Sequence, residues 1–399
     1  EQIENTVQRI IKEECTAIHP AVEWRFQNAA YNLMRCRENN EIAEMEKIVF
    51  DNVYPLYGLS DIRNSSIYRN ETIKEDLSAH IDLAVGILEN AKKNKPMPLF
   101  DELIFRLEKF NHKINNNIGS GDEVEIIDFI NDEIDPIFAK LESYSDEMKS
   151  LIKDYKSHID PKIRSLYNKR RQYDKSISII NESISNFLDK EEHKAQEMFP
   201  HYFEKYKTDG VEHGIYIGQS LVHDQEFSEM YLKNLRLWQL LVMCGIVKIC
   251  NDLRSKIELP LDSTHLILVQ DAPLSIRFRP DEKKFDVDGT YNMRYEIMKK
   301  RIDKALIINS SERLTQPDKI AIVYSNDKEA AEYARYLEYM HAKKYITNKV
   351  EELQLDELQG VSGLKAFRAE VNLKNDVLGT SINSQEINDA IKRLENVSN

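Results

Sequence analysis

The chain has 399 residues, of which 41% are hydrophobic and 31% charged, and its formal net charge is −13. This length accommodates two or three domains with their own cores. The negative charge disfavours general nucleic-acid binding, which depends on clustered Lys and Arg side chains that neutralise phosphates. Only 12 residues are glycine, which disfavours a turn-dense all-β architecture. We therefore expect a soluble and mainly helical protein.

The cysteines and the longest apolar run indicate a cytoplasmic protein without a membrane partner. The four cysteines form no Cys-x-x-Cys pair and are expected to be free thiols. The apolar run 235–250 is interrupted by Arg236 and Lys248 and is shorter than the ~20 residues of a spanning helix, so it predicts a core helix. No secretory signal is visible. Because the chain begins with Glu1 rather than Met, we expect a processed product or a fragment of a longer protein. The cysteines are Cys15, Cys36, Cys244 and Cys250.

Apolar residues at helical spacing predict a helical segment over 1–48, with Pro20 suited to the first turn of a helix. Residues 48–57 (IVFDNVYPLY) predict a short extended stretch, because Pro55 disfavours helix at the residue before it. Gly58 is expected to end this stretch.

Residues 66–199 predict a bundle of long helices, because apolar residues recur there at alternating spacings of three and four. Two stripes, over 126–159 and 163–187, predict an antiparallel helical bundle or coiled-coil hairpin with a short connection. Asp160 and Pro161 are expected to be the N-cap and first residue of its second helix. A kink is expected at Asp135-Pro136. Long helices of this kind also predict a homodimer formed through them.

After residue 199 strand-like and helical segments alternate, which predicts a smaller α/β or α+β domain with a mixed sheet. The expected domains are therefore a helical N-terminal segment with a short extended stretch (1–65), the long-helix bundle (66–199), the α/β domain (200–375) and a polar tail (376–399). The strands are expected at 210–218, 265–270, 274–278, 319–324, 350–355 and 364–371. The helices are expected at 226–252, 291–308 and 327–346.

The first candidate ligand site lies where the extended stretch leads into a helix. Serine hydroxyls and backbone N–H groups at a helix N-terminus, flanked by arginines, can bind an anion. Alternatively, a serine caps the helix and the aspartate forms an ion pair with one of the arginines. The residues of this candidate are Asp61, Arg63, Ser65, Ser66 and Arg69.

The second candidate is a basic strand followed by a helix. Arg277 and Arg279 alternate along the strand and so share a face, and the turn at Asp288 leads into a helix that carries Tyr291, Arg294 and Tyr295. The arrangement predicts recognition of a small anionic ligand or an acidic protein partner. In the alternative, the acidic side chains of the same segment neutralise the arginines. Those acidic residues are Asp286, Asp288 and Glu296.

Catalytic and metal-binding patterns are not recognisable in the sequence. The glycine-rich segment 208–220 does not match a phosphate-loop spacing, and the histidines match neither His-Glu-x-x-His nor a paired Glu-x-x-His pattern. No nucleophile motif of hydrolases or kinases occurs. Asp271 and Ser325 follow predicted strands, where ligand sites of α/β sheets gather. We therefore expect no cofactor, no metal and no catalytic residue.

Several segments together resemble the C-terminal region of large bacterial proteins of uncharacterised function that are labelled as GAF-domain-containing. The resemblance covers most of the chain and implies a signalling context, since GAF domains are small-molecule sensing modules built on a central antiparallel sheet. It brings no established catalytic residues. The segments are AIHPAVEWRFQNAA (17–30), VYPLYGLSDIRNSSIYRN (53–70), TDGVEHGIYIGQSL (208–221), RFRPDEKKFDVDGTYNMRYEIMKKRIDKA (277–305) and ERLTQPDKIAIVYS (312–325).

Two classes of function remain open. The first is a non-catalytic signalling or interaction module of a larger bacterial protein that senses a small anionic ligand. The second is an enzyme that acts on a phosphorylated or carboxylated small molecule through the basic α/β domain. The first is favoured because no nucleophile–base pair or metal pattern is visible. The observation that would discriminate most is whether the segments 54–70 and 277–301 meet in one pocket.

Overall fold

The computed structural model describes residues 19–39, 44–116, 118–119, 121–288, 293–358 and 361–375. Their contacts form two compact units. Unit 1 comprises the described residues of Glu1–Arg63 and Ile179–Asn399, and unit 2 comprises those of Asn64–Ser178. Helices occur in both units and a large mixed sheet in unit 1, so the mixed α and β class expected from the sequence is confirmed. None of the helices in these ranges is long and apolar enough to cross a membrane.

Unit 1 contains one sheet and the helices that cover it. Its helices are α1 (Pro20–Glu38), the part of α7 (Lys169–Met198) from Ile179 onward, α8 (Glu229–Arg254), α9 (Met293–Arg301) and α10 (Asp327–Ala342). Its strands are β1 (Val49–Ile62), β4 (Tyr202–Lys207), β5 (Gly210–Ile217), β6 (Ser263–Leu268), β7 (Leu274–Arg279), β8 (Lys284–Asp288), β9 (Lys319–Tyr324), β10 (Ile346–Gln354) and β11 (Lys365–Val371).

Unit 2 is helical apart from one small hairpin. Its helices are α2 (Ser65–Asn94), α3 (Pro98–Asn116), α4 (Asp122–Phe129), α5 (Asp135–Leu141), α6 (Asp146–His158) and the first residues of α7, and the hairpin is β2 (Ile159–Asp160) with β3 (Ser165–Leu166). A buried apolar cluster of these helices forms its core, with Leu77, Phe100, Ile130 and Phe138 fully enclosed.

The sheet of unit 1 has nine strands among the described residues, and its main path runs β10-β11-β9-β6-β1-β5-β4, with β7 and β8 added beside β1. Its pairs are antiparallel except β6 with β9, which are parallel. The long strand β1 pairs through its first residues with β7 and through its later residues with β5 and β6. A register shift between Phe50 and Val53 separates the two regions, and Asn52 has φ of +54° there. The bulge lets one strand serve both parts of the sheet.

One face of the sheet packs against α8 around buried polar side chains. Ser60 in β1 lies 3.0 Å from Nδ1 of His265 in β6, and Ser263 lies 3.1 Å from the other ring nitrogen. His213 in β5 packs over Gly58, where a Cβ would come within 2.3 Å of the imidazole. Both histidines are buried and burial lowers their pKa, to about 4 for His213 and to about 3 for His265. They are therefore neutral core residues, so the segment 208–220 serves sheet packing here.

The helical hairpin predicted from the stripes over 126–159 and 163–187 is not confirmed as a long uninterrupted pair. The first stripe is divided into α4, a π-helical turn (Ile130–Ile134), α5 and α6. Pro136 lacks a backbone N–H, so the regular helical bonding cannot continue through it. The backbone N–H of Asp135 instead donates a hydrogen bond to the carbonyl of Ile130, five residues earlier. This bond closes the widened turn that is typical of a π-bulge.

The prediction that Asp160 and Pro161 begin the next helix is wrong. Asp160 instead accepts the backbone N–H groups of Lys162 and Ile163 and closes the turn between β2 and β3. The helix α7 begins at Lys169, where the buried carboxylate of Asp76 accepts three consecutive backbone N–H groups, from residues 168 to 170. A side chain 93 residues distant along the chain therefore caps α7, which no local sequence pattern could indicate.

The strands and helices expected after residue 199 occur in the structure with shifted bounds. The helix expected at 291–308 is α9 (Met293–Arg301), and residue 346, expected to end a helix, begins β10. The strand β8 was not predicted. The expected helix over 1–48 appears as α1, while residues 1–18 and 40–43 lie outside the described residues. The extended stretch expected to end at Gly58 continues to Ile62, because both edges of β1 are paired there. The strand β4 was not predicted, since its alternation of aromatic and charged residues (YFEKYK) lacks aliphatic residues. The expected polar tail (376–399) lies outside the described part of the chain.

The close approach of β1 and β5 gives a test with a matched control. Gly58→Ala should destabilise the protein by about 1–3 kcal/mol, because the added methyl would overlap the buried imidazole of His213 and touch Met243. Gly86→Ala, in α2 with no atom within 4 Å of the added methyl, should instead stabilise by about 0.5–1 kcal/mol. Urea unfolding followed by circular dichroism measures both. Effects of the same sign would contradict the packing described here.

Burial of His265 predicts a pH dependence of stability. The unfolded chain takes up a proton near the ordinary pKa of 6.5, whereas the folded chain resists protonation down to about 3. Between these values the unfolded state binds more protons, so the free energy of unfolding should fall as the pH falls from 6.5 towards 4. One such group contributes a slope of about 1.4 kcal/mol per pH unit. Urea titrations from pH 7 to 4 should show a shallower slope for His265→Asn. An unchanged slope in His265→Asn would contradict the prediction.

Candidate functional site

The basic strand predicted as a ligand site forms the hairpin of β7 and β8, where acidic residues face the arginines. Arg277 lies opposite Asp286 in the register, and its guanidinium is 3.4 Å from Asp288. Arg279 lies 3.0 Å from Asp281, with Glu282 and Asp286 within 3.5 Å. Within this hairpin the arginines have acidic partners.

The helical half of that candidate is described only in part. Tyr291 lies outside the described residues, and Arg294 lies in α9 without a described side chain. Tyr295 is buried in the core of unit 1, and burial together with the nearby Glu296 raises its pKa well above the ordinary value. Its ring therefore packs in the core and is not an exposed aromatic face.

The other candidate segment is divided between the two units. Asp61 and Arg63 belong to unit 1, whereas Ser65, Ser66 and Arg69 belong to unit 2 at the start of α2. The residue at the N-cap of α2 is Asn64, in the left-handed conformation with φ of +58° and without a side-chain capping bond. The serine cap considered from the sequence is therefore not formed.

The two candidate segments do meet within unit 1. Lys299 of α9 places its ammonium 5.1 Å from the ring centroid of Tyr57 in β1, and Tyr57 donates a hydrogen bond of 2.9 Å to Glu212. Burial and the neighbouring Asp303 raise the pKa of Asp61 to about 6. The meeting place is thus a partly buried group of carboxylates and tyrosines with a lysine, and not a group of arginines.

Next to this group lies a second cluster, around Glu204 of β4. Its carboxylate accepts hydrogen bonds from the hydroxyl groups of Tyr202, Tyr206 and Tyr216 at 3.1–3.4 Å. Burial raises the pKa of Glu204, and Lys299 at 3.9 Å partly offsets this. The carboxylate has protein partners on several sides, so we interpret this cluster as structural.

A cleft of about 220 Å³ lies elsewhere in unit 1, between the first turns of α8 and α10. Each helix contributes four residues at spacings of three and four, which places them on one helical face. Tyr54, which follows the bulge of β1, and Asp271, which follows β6, complete the lining. The lining residues are Tyr54, Glu229, Leu232, Lys233, Arg236, Asp271, Lys328, Ala331, Glu332 and Arg335.

The position of this cleft follows from the sheet. The strands β6 and β9 are parallel neighbours, and both Asp271 and the N-terminus of α10 follow their carboxyl ends. Ligands of α/β sheets bind in the crevice outside the carboxyl ends of the strands. The strand ends are joined by Glu329, which accepts the backbone N–H of Asp271 at 2.9 Å and that of Ser325 at 2.8 Å. The N-terminus of α10 is therefore already capped by its own chain.

The innermost charge of the cleft is the buried guanidinium of Arg236. It donates to Glu332 at 2.7 Å and to Asp271 at 3.3 Å. Glu332 also accepts from Tyr336 at 2.7 Å. Burial acts to raise the pKa of Asp271, but hydrogen bonds from Lys328 and Arg236 outweigh it and the pKa lies below its ordinary value. The two carboxylates therefore hold Arg236 in one orientation.

Two cationic side chains that line the cleft, Arg335 and Lys233, do not take part in the ion pairs of Arg236. Arg335 of α10 is exposed and forms no hydrogen bond or ion pair within the described part of the chain. Lys233 of α8 has one ion pair, with Glu229 at 3.4 Å between exposed groups, which holds it weakly. The ring of Tyr54 stacks on Phe227 at 5.8 Å. An anion entering the cleft would meet both cations.

Sequence reasoning identified only one part of this cleft. It noted that Asp271 and Ser325 follow strands, but it interpreted Arg236 as an interruption of an apolar helix. The alternation of charges at 328, 332 and 335 in α10 was available as a signal, but it is also typical of a solvated helix face.

Comparisons with known proteins add little to this geometry. A family model described as "YeeD uncharacterised protein" matches residues 71–184, which lie mostly in unit 2. No curated protein matches significantly. Among solved structures, the chain is similar to the crystal structure of the guanylyl cyclase Cya2 with 12% sequence identity and a TM-score of 0.30, over 51% of this chain and 82% of that one. A similarity this low supports no statement about activity.

The Arg236 network predicts a clear difference between two substitutions in the same cleft. Arg236→Met leaves the buried carboxylate of Glu332 without its cation and should cost about 3–5 kcal/mol of unfolding free energy. Lys328→Met removes an exposed cation and should leave stability nearly unchanged. In urea unfolding, Arg236→Met with Glu332→Met should recover much of the loss. A small effect of Arg236→Met alone would show that the network does not hold α8 and α10 together.

Proposed function

We propose that the chain is a ligand-binding module that recognises a small anionic molecule in the cleft between α8 and α10. The observation that carries the proposal is the convergence of Arg335 and Lys233 on one concave surface beside the oriented guanidinium of Arg236. Guanidinium groups bind carboxylates and phosphates in a defined orientation, and a lysine adds a mobile point charge.

The charges of the lining support an anionic ligand. Four side chains are cationic and three are acidic, although the whole chain has a net charge of −13. Asp271 and Glu332 are engaged by Arg236 and Lys328, which leaves two cations and Glu229 for a ligand. Locally positive clefts concentrate anions even on a protein whose net charge is negative.

A sensing role is supported better than catalysis. None of the ten lining residues is Ser, Thr, Cys or His, so the lining has no hydroxyl or thiol nucleophile paired with a histidine base. The resemblance to regions of GAF-domain-containing bacterial proteins suggests that such binding serves signalling or interaction in a larger protein. The alternative is an enzyme acting on phosphorylated or carboxylated molecules through the arginines of β7, and in the described hairpin those arginines have acidic partners.

A thermal-shift screen of nucleotides, phosphosugars and small carboxylates tests the proposal. At least one anion should raise the melting temperature of the wild-type protein, because a ligand that binds only the folded state stabilises it. Arg335→Ala and Lys233→Ala should abolish this shift without lowering the melting temperature of the free protein. The matched control is Arg37→Ala, which removes an exposed arginine at the end of α1 and should keep the full response.

The same screen separates this cleft from the site predicted on β7 and α9. If the cleft binds the ligand, Arg277→Ala combined with Arg294→Ala should respond like the wild-type protein. A response lost in this double variant and kept in Arg335→Ala would contradict the proposed function and favour the basic strand and helix.

A further inference from the structure

We infer that the ligand of this cleft is an acidic α-amino acid, a molecule with two carboxylates and one ammonium group. The inference rests on the proposed function and adds the chemical class of the ligand. It follows from the signs of the charges that remain available after the internal ion pairs of the cleft are counted.

The internal pairs leave three exposed charged groups in the lining. Arg335 is without a partner in the described part of the chain, and Lys233 and Glu229 face each other as an exposed pair at 3.4 Å. A ligand that carries only negative charge would have to approach the carboxylate of Glu229. A ligand with an ammonium group can replace the lysine as the partner of Glu229 and release Lys233 for a carboxylate.

An acidic amino acid matches these three groups one for one. Its two carboxylates can pair with Arg335 and Lys233, and its ammonium group with Glu229. The net charge of the ligand, −1, then balances the net charge of +1 on these three side chains. The arrangement leaves no charge of either partner unpaired, which matters because an unpaired charge loses its hydration on binding without compensation. A phosphate dianion has two negative charges and no cationic group for Glu229.

The size and the remaining surface of the cleft agree with a small amino acid. Its volume of about 220 Å³ is below the range of about 300–1,000 Å³ that holds drug-sized ligands. Its apolar surface is limited to Leu232, Ala331 and the ring of Tyr54, which suits a short methylene chain. The hydroxyl of Tyr54 has no hydrogen-bond partner among the described residues and is available to the ligand.

Isothermal titration calorimetry with three probes on the full chain tests the inference. The probes are L-glutamate, glutarate and inorganic phosphate. Glutarate has the two carboxylates of glutamate without the ammonium, so the comparison isolates one group. L-glutamate should bind at least about tenfold more tightly than glutarate, the gain expected for one charge-assisted hydrogen bond. Phosphate should bind more weakly than either.

Two glutamine substitutions show which side chain produces the preference. Glu229→Gln should weaken L-glutamate binding about tenfold and should leave glutarate binding equal or stronger, so that the preference disappears. The control Glu226→Gln changes an exposed glutamate just before α8 that does not line the cleft, and it should keep the preference. Thermal unfolding of both variants should match the wild-type protein.

The outcomes distinguish this inference from the proposed function. Equal or tighter binding of glutarate or phosphate, lost in Arg335→Ala, would overturn the amino-acid inference and leave an anion site in place. A glutamate preference that persists in Glu229→Gln would also overturn it. If none of the three probes binds, the inference fails, and the wider anion screen then decides the proposed function separately.

Discussion

A buried guanidinium in an otherwise apolar helix imposes the constraint that organises this part of the molecule. Arg236 lies in the stretch of α8 that packs against the sheet, and it is 3% exposed. A charge at such depth is tolerated only with close opposite charges and satisfied hydrogen bonds. Its partners come from α10 and from the residues after β6. The ion network therefore fixes the first turns of two helices and one strand end relative to one another.

The cleft is a consequence of that constraint. Because α8 and α10 are connected through Arg236 and Glu332, the next residues on the same helical faces, Lys233 and Arg335, lie on opposite walls of one concave surface. Glu329 accepts the backbone N–H groups at the two strand ends, so the floor of the cleft is hydrogen-bonded by the protein itself. Oriented charges on fixed elements lower the cost of ordering a binding site.

The sequence predicted the elements of unit 1 better than the connections between them. The alternation of strands and helices after residue 199 was visible because the apolar periodicity changes from helical spacing to two. The central position of β1 in the sheet was not visible in the sequence, since nothing local shows that residues 49–62 pair with strands that begin after residue 200. Similarly, Asp160-Pro161 has the local form of a helix start, and only the distant carboxylate of Asp76 decides that α7 begins at Lys169.

The same limit explains the candidate sites. The sequence left open whether the arginines of β7 meet a ligand or their acidic neighbours, because the hairpin register that places Arg277 opposite Asp286 emerges only on folding. Arg236 looked like an interruption of a core helix because its partner Glu332 lies 96 residues away. Ionic networks assembled from separate elements leave single charged residues in the sequence, and such residues resemble ordinary surface positions.

A crystal structure of the protein grown with L-glutamate is the measurement that tests the central claim most directly. The account predicts ligand density between α8 and α10, with one carboxylate at Arg335, the other at Lys233, and the ammonium group beside Glu229. Arg236 should keep its contacts with Glu332 and Asp271. Ligand density at the arginines of β7, or an empty cleft under conditions in which calorimetry shows binding, would contradict the account.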